Sequence, residues 1–184
     1  MATAALNTTR LGSTAPGFSL PDVVTGNLIT LSALPPFNAL LVVFICRHCP
    51  YVVHVKSEIL RLAQAYHPKG VCLMAICSND AVKYPDDAPA RLREMAIADN
   101  FPFPLLSDET QQVARAYDAR CTPDFFLYDA RLRLAYRGRL DDSTPGNGLP
   151  VTGREMRAAL DAVLGGLAAP AVQKPSIGCS IKWK

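Results

Sequence analysis

The sequence predicts an α/β domain built on a mixed sheet, and three features carry that expectation. Two uninterrupted apolar runs, ALLVVFI (residues 39–45) and VCLMAIC (residues 71–77), suit strands buried on both faces of a parallel sheet. Between them Val52, Val55, Ile59, Leu62 and Ala63 recur at helical spacing, so the first half reads strand, helix, strand. The second half closes as strand, strand, helix, which makes part of the sheet antiparallel.

The 184 residues suit one domain with extensions, and 49% hydrophobic with 19% charged content is that of a folded globular chain. We divide it into a flexible N-terminus (1–10), a main domain (11–168) and a C-terminal tail (169–184) containing Cys179. A net charge of +3, with Lys and Arg scattered, argues against nucleic acid as a partner. No apolar run is long enough for a membrane span, and MATAALNTTRLGSTAPGF lacks the apolar core of a secretory signal. The expected compartment is the reducing cytoplasm, where six cysteines are more often reactive than structural.

In chain order, FSLPDVVTGNLITL reads as two short strands around Thr25-Gly26-Asn27, an N-terminal hairpin extension. The first buried strand, Ala39 to Ile45, is followed by a helix from Tyr51 to Tyr66, closed by Lys69-Gly70. After the second strand, a loop with Pro85 and Pro89 leads to a helix from Pro89 to Asn100, and Phe103 to Leu106 is a short strand. The next helix spans Ser107 to Tyr117, with Ser107 as its cap and Asp108 and Glu109 in its first turn. FFLYD and LRLAYRG form a hairpin around Ala130-Arg131. After the loop DDSTPGNGLP, a last helix runs from Gly153 to about Leu167, with Met156, Leu160, Val163, Leu164 and Leu167 as its buried stripe. AAPAVQKPSIGCSIKWK reads as an extended tail packed on the surface, with Trp183 as its anchor.

The chemistry concentrates at Cys46-Arg47-His48-Cys49-Pro50, where the first buried strand gives way to the first helix. Unpaired N–H groups and the positive end of the helix dipole favour a thiolate there, and a second thiol close by allows disulfide exchange. We expect Cys46 to be the more exposed, attacking group and Cys49 the resolving one. Arg47 and His48, both able to carry positive charge, should lower the Cys46 pKa further. Pro50 fits the first helical position. A metal reading of Cys46, Cys49 and His48 or His54 lacks a second spaced pair of ligands, so no metal is assigned. His54 and His67 receive no role.

Thr122-Pro123, just ahead of a buried strand, is the candidate cis peptide, which would present the Thr122 backbone to an extended chain docking beside Cys46. Cys121 and Cys179 are candidate third redox thiols. Cys179 is read as an exposed thiol on a movable segment, whereas Cys72 and Cys77 fall in an apolar strand as core residues.

These segments together resemble the thioredoxin-fold superfamily in its redoxin branch, that of the alkyl hydroperoxide reductase and thiol-specific antioxidant proteins. LGSTAPGFSLPDVVTGNLITLSAL is similar to the redoxin opening, FPLLSDETQQVARAYDA to the segment after the central strands, and CTPDFFLYDARLRLAYRGRLDD to the cis-proline strand and hairpin. The ending PSIGCSIKWK resembles uncharacterised thioredoxin-family proteins with a CxHCP site. The resemblance implies a central mixed sheet flanked by helices, with Cys46 as nucleophile, Cys49 as resolving thiol and Pro123 as the cis-proline. It implies a thiol–disulfide oxidoreductase, with a peroxiredoxin-like peroxidase resolved by Cys49 or Cys179 as the alternative. No organic cofactor is needed. The implied partners are a protein disulfide, or a small-molecule disulfide or peroxide, and an electron-donating thiol system. Two departures stand out. No acidic residue lies in Ala39 to Ile45, where many thioredoxins carry a buried Asp, and Val43 replaces the Thr that peroxiredoxins place three residues before their reactive Cys.

Overall fold

The computed structural model describes residues 2–4 and 10–184. In chain order the strands are β1 (Ala2–Ala4), β2 (Ser19–Pro21), β3 (Leu28–Thr30), β4 (Ala39–Phe44), β5 (Val71–Cys77), β6 (Leu105–Ser107), β7 (Cys121–Thr122), β8 (Asp124–Asp129), β9 (Leu134–Gly138) and β10 (Ile177–Ser180). The α-helices are α1 (Pro50–Tyr66), α2 (Pro89–Ala98), α3 (Gln112–Ala116) and α4 (Arg154–Leu164). The main sheet has the order β6-β5-β4-β8-β9. β4 is parallel to β5 on one side and antiparallel to β8 on the other, which is the mixed sheet expected from the sequence. β2 and β3 pair as the expected hairpin.

β4 is apolar throughout because both of its faces are covered. Leu41 and Val43 pack with Val52, Ile59, Leu62, Leu92, Met156 and Leu160, on the side of α1, α2 and α4. Leu40, Val42 and Phe44 pack with Phe18, Leu31, Val113, Tyr117 and Phe126, on the side of the hairpin and α3. Period-2 alternation thus sends neighbouring residues into two cores. Tyr117 meets Phe44, Phe126 and Tyr128 edge-on, at centroid distances of 5.6, 5.6 and 6.1 Å.

Several boundaries differ from the sequence reading. α3 is short, and Ser107 lies in β6 instead of capping it. The N-terminal amides of α3 turn to Asp108, whose carboxylate accepts the N–H of Val113 at 3.4 Å and of Ala114 at 2.9 Å. α4 ends at Leu164, which leaves Leu167 71% exposed and outside the buried stripe. Mobility was expected for residues 1–10; residues 1 and 5–9 lie outside the described residues, and Ala2–Ala4 form a strand.

The segment 169–184 is the largest correction. It is not a tail laid on the surface: β10 is the middle strand of a second sheet, β1-β10-β7. Ser176, Gly178 and Ile181 are buried. The Lys182 carbonyl accepts the Asp80 N–H at 2.8 Å and the Gln111 side chain at 2.8 Å. Lys182 N–H donates to Asn79 at 2.9 Å, and Arg115 stacks on Trp183 at 4.5 Å, so Trp183 does anchor the segment. Sequence periodicity missed this because the fastening groups are scattered over residues 79–184 and meet only in the fold.

Candidate active site

The chain leaves β4 at Phe44 and turns through residues 45–49 before α1 starts at Pro50. Pro50 fits there because the first helical position needs no N–H donor and accepts a fixed φ. Cys49 is the N-cap, with φ −69° and ψ 121°. The sequence reading put the thiolate of Cys46 under the influence of the N-terminal amides of this helix. Cys46 stands three residues ahead of the N-cap, and Cys49 is the sulfur nearest the unpaired amides. Cys46 is not the exposed member of the pair either: it is 1% exposed and Cys49 0%. All six cysteines are free thiols.

Thr122 serves both sulfurs. Its hydroxyl lies 3.3 Å from Cys46 Sγ, and its carbonyl accepts the Cys49 thiol at 3.0 Å. The Thr122–Pro123 peptide is cis, as expected. The two thiols lie close to each other, and their mutual interaction dominates their ionisation. It draws Cys49 down to about 4 against the opposing effect of burial, with help from Cys179, Thr122 and the Val52 N–H. The same interaction, then burial and the charge of Asp87, push Cys46 well above the ordinary thiol value. The pair therefore titrates as one unit that gives up a first proton readily and holds the second.

The remaining proton has two seats. On Cys46 it supports an anion at Cys49, at the helix end. On Cys49 it is donated to the Thr122 carbonyl, a contact a sulfur anion would not favour, and Cys46 then accepts from the Thr122 hydroxyl. A shift along the line between the sulfurs interconverts the two states.

A pH signature follows. Between about 4 and the ordinary thiol value of 9.0, the native reduced state holds one proton fewer than the unfolded chain, so its stability rises with pH. Above 9.0 the unfolded chain releases the second proton while Cys46 retains it, so stability falls. The stability of the reduced wild type minus that of the double variant Cys46→Ser/Cys49→Ser should peak near pH 9.0 in denaturant titrations. A flat difference would contradict a coupled thiol pair.

Asp87 is the residue the sequence reading missed. It comes from a short 3₁₀ turn, Pro85–Asp87, and its side chain is fully buried beside the dithiol. It accepts the Arg47 backbone N–H at 2.7 Å, the Asn79 amide at 2.8 Å and His48 Nδ1 at 3.0 Å. No spacing in PDDAP points to this; the only cue was an acidic pair between two prolines, in the loop after a buried strand. Asp87 supplies from elsewhere in the chain the buried carboxylate that Ala39 to Ile45 lack. Asp87→Asn should let the thiolate form at lower pH, because a negative charge beside Cys46 is gone. It should also cost about 1–2 kcal/mol of stability through weaker hydrogen bonds. Thiolate ultraviolet absorbance and thermal unfolding check both, and a shift to higher pH would contradict the assignment.

Arg47 and His48, expected to favour a thiolate at Cys46, both have acidic partners. The Arg47 guanidinium pairs with Asp86 at 3.3 Å and Glu94 at 4.0 Å, and His48 pairs with Asp87 while stacking on Tyr84 at 6.0 Å. Among the described residues, Cys46, His48 and Asp87 offer three ligand atoms within 4.8 Å of one another, a group that could hold a metal. His54 is not among them and bonds Ser143 at 2.7 Å. Cys121 is buried, its thiol directed at the Pro123 carbonyl 3.6 Å away, and burial pushes its pKa up, which marks a packed residue. Cys77 is core, held up to about 12 by burial; Cys72 is only partly buried. Cys179 is half-buried on β10, paired opposite Thr122 and packed against the cluster that contains Cys49, and not on a movable segment. A cleft of about 840 Å³ between the hairpin and α3 contains none of the cysteines.

The mixed sheet, with a dithiol where β4 runs toward α1 and a cis-proline strand facing it, is that of a thioredoxin-like protein. It is similar to the thioredoxin domain of a thiol-disulfide oxidoreductase from Bacteroides vulgatus, with a TM-score of 0.59 at 17% identity over 71% of this chain and 89% of that one. The chain belongs to the AhpC/TSA family, which residues 11–137 match, and so to the redoxin branch. Two solved structures are similar over the whole length. One is an uncharacterized conserved protein from Geobacillus kaustophilus, with 53% identity and a TM-score of 0.97 over 100% of this chain and 97% of that one. The other is a hypothetical protein from Sinorhizobium meliloti 1021, with 46% identity and a TM-score of 0.96 over 99% of each chain. No curated protein matches the sequence.

Proposed function

We propose that the protein is a thiol–disulfide oxidoreductase working through Cys46 and Cys49. The observation that carries this reading is the placement of two free thiols at the strand-to-helix turn, both held by the residue before the cis-proline: Thr122 Oγ1 lies 3.3 Å from Cys46 Sγ and the Thr122 carbonyl accepts the Cys49 thiol at 3.0 Å. With the proton seated on Cys49, the Cys46 anion attacks one sulfur of a partner disulfide. That S–S bond breaks, the other partner sulfur leaves and takes up a proton, and a mixed disulfide forms. Cys49 then loses its proton and attacks Cys46 Sγ, which expels the second partner thiol and closes the Cys46–Cys49 disulfide. The partner gains two electrons, the pair loses two, and an external thiol system restores the dithiol. Partners approach from the Arg47 and His48 side, where a shallow depression of about 480 Å³ also includes Lys56, Asp86 and Glu94. The substrate is a protein or small-molecule disulfide, and no organic cofactor enters the cycle. We assign the protein to the cytoplasm, which cell fractionation tests.

The direct test is equilibration with mixtures of reduced and oxidised glutathione. One two-electron couple is expected in the wild type, and none between these residues in Cys46→Ser or Cys49→Ser. If the two thiols fail to join on oxidation, the reading is wrong.

One observation favours a second reading, a thiol peroxidase. The Thr122 hydroxyl beside Cys46 replaces from β7 the group that Val43 lacks. The Cys46 anion would take one peroxide oxygen and release an alcohol or water, and Cys49 or Cys179 would condense with the sulfenic acid and release water. Peroxide consumption with a thiol reductant decides it, and a rate no faster than free cysteine removes this reading.

A further inference from the structure

The edge of β7 beside the dithiol is where an extended partner chain would dock, and it is already filled. β10 pairs with it antiparallel, with Cys179 opposite Thr122 and Ser180 opposite Cys121. The fit depends on Gly178: a Cβ there would stand 2.0 Å from the Thr122 carbonyl oxygen and 2.6 Å from its carbon. Only glycine lets the two backbones approach so closely. On its other edge β10 pairs with β1, and Ile181 N–H continues the contact to the Arg120 carbonyl at 3.1 Å. This register sets Cys179 opposite Thr122, the residue whose carbonyl accepts the Cys49 thiol at 3.0 Å, and packs Cys179 against the buried cluster that contains Cys49. The site thus holds three sulfurs in series, with Cys49 in the middle.

We propose that β10 is the site's own docked strand and that Cys179 is a third exchanging thiol, whose partner is Cys49. This rests on the oxidoreductase reading and extends it. Once Cys46–Cys49 is oxidised, Cys179 attacks Cys49 Sγ. The bond between Cys46 and Cys49 breaks, a bond between Cys49 and Cys179 forms, and the Cys179 proton passes to the departing Cys46 sulfur. No electrons are gained or lost overall: one disulfide and one thiol become another disulfide and another thiol. The result stores the oxidising equivalent beneath β10 and returns Cys46 as a free thiol. Cys49 is attacked, not Cys46, because Cys49 is the sulfur held on the Thr122 backbone, against which Cys179 is paired.

The full-length protein tests this by disulfide mapping. Cys46→Ser is incubated with oxidised glutathione, alkylated, digested and analysed by mass spectrometry. Cys49 first forms a mixed disulfide with glutathione, and Cys179 then displaces glutathione as a free thiol. The expected product is a Cys49–Cys179 peptide pair, with Cys179 lost from the alkylated pool. Cys49 left as its glutathione adduct with Cys179 alkylated, or Cys49 joined to Cys121, would overturn the proposal. Should Cys46→Ser not fold, partial oxidation of the wild type decides: Cys46–Cys49 and Cys49–Cys179 pairs should coexist, and the second should vanish in Cys179→Ser. Gly178→Ala, which displaces β10, should lose Cys49–Cys179 while keeping Cys46–Cys49. Retention of Cys49–Cys179 there would overturn the role of the strand. A wild type with Cys46–Cys49 but no Cys49–Cys179 sinks this inference alone, whereas one with neither sinks the oxidoreductase reading itself.

Discussion

Cys46→Ser is expected to abolish disulfide reduction, with a loss of at least about 10³-fold in kcat/KM, equivalent to about 4 kcal/mol of transition-state stabilisation. A serine hydroxyl in this buried turn would keep its proton at neutral pH, so no nucleophile forms at position 46. The geometry should survive, because the hydroxyl can still bond Thr122 Oγ1, the present partner of Cys46. Cys49→Ser should fail at a different step. Cys46 still attacks, but the mixed disulfide is not released, so the protein accumulates covalently bound to the disulfide it attacked. Mass spectrometry of the trapped adduct separates the two variants. Retained turnover in Cys46→Ser would show that Cys49, the sulfur nearer the helix end, is the attacking group.

Arg137→Met is expected to cause the largest loss of stability, about 3–5 kcal/mol, and to lower the Tm by roughly 10 °C. Arg137 is 1% exposed. Its guanidinium donates to the Asp118 carbonyl at 2.6 Å, pairs with Asp118 at 3.4 Å and Asp124 at 3.5 Å, and lies over Phe126 at 4.7 Å. Asp124 directly follows the cis-proline and accepts the Arg120 N–H at 3.2 Å, so Arg137 steadies the strand that carries Thr122. Removing it leaves a carboxylate in a fully buried position, where burial already pushes its pKa up and Arg137 is the chief opposing influence. In the variant the native Asp124 pKa lies further above its unfolded value. The penalty is therefore largest at neutral pH and shrinks as the pH falls and Asp124 takes up a proton. The double variant Arg137→Met/Asp124→Asn should recover part of the loss. Chemical denaturation at two pH values checks both statements, and a cost below about 1 kcal/mol would contradict the buried-pair account.

Among the site residues, legibility in the sequence followed the range of the interaction. Cys46, Cys49 and Pro50 were legible because strand, turn and helix start are adjacent in sequence and each has a local signature. Thr122–Pro123 was legible only because its isomer and its facing position belong to a fold that the β-α-β pattern had already implied. Asp87 was not legible, since its value lies in reaching back to Arg47 and His48, about forty residues earlier. The acidic partners of Arg47 and His48 were not legible for the same reason: the positions of Asp86, Asp87 and Glu94 are set by where α2 and the 3₁₀ turn pack. Cys179 was singled out, but its surroundings were read as tail because Pro, Ser and Gly look like linker when no pairing partner is in view.

By itself the sequence determined the class of fold and the place of the dithiol, because hydrophobic period, helix-start chemistry and a two-residue cysteine spacing are encoded within a few residues of one another. The tertiary structure alone decided which sulfur sits at the helix end, how both are sealed from water, which carboxylate stands beside them and which strand covers them. Those properties depend on desolvation and on hydrogen bonds between segments some forty to more than a hundred residues apart, which no local pattern records.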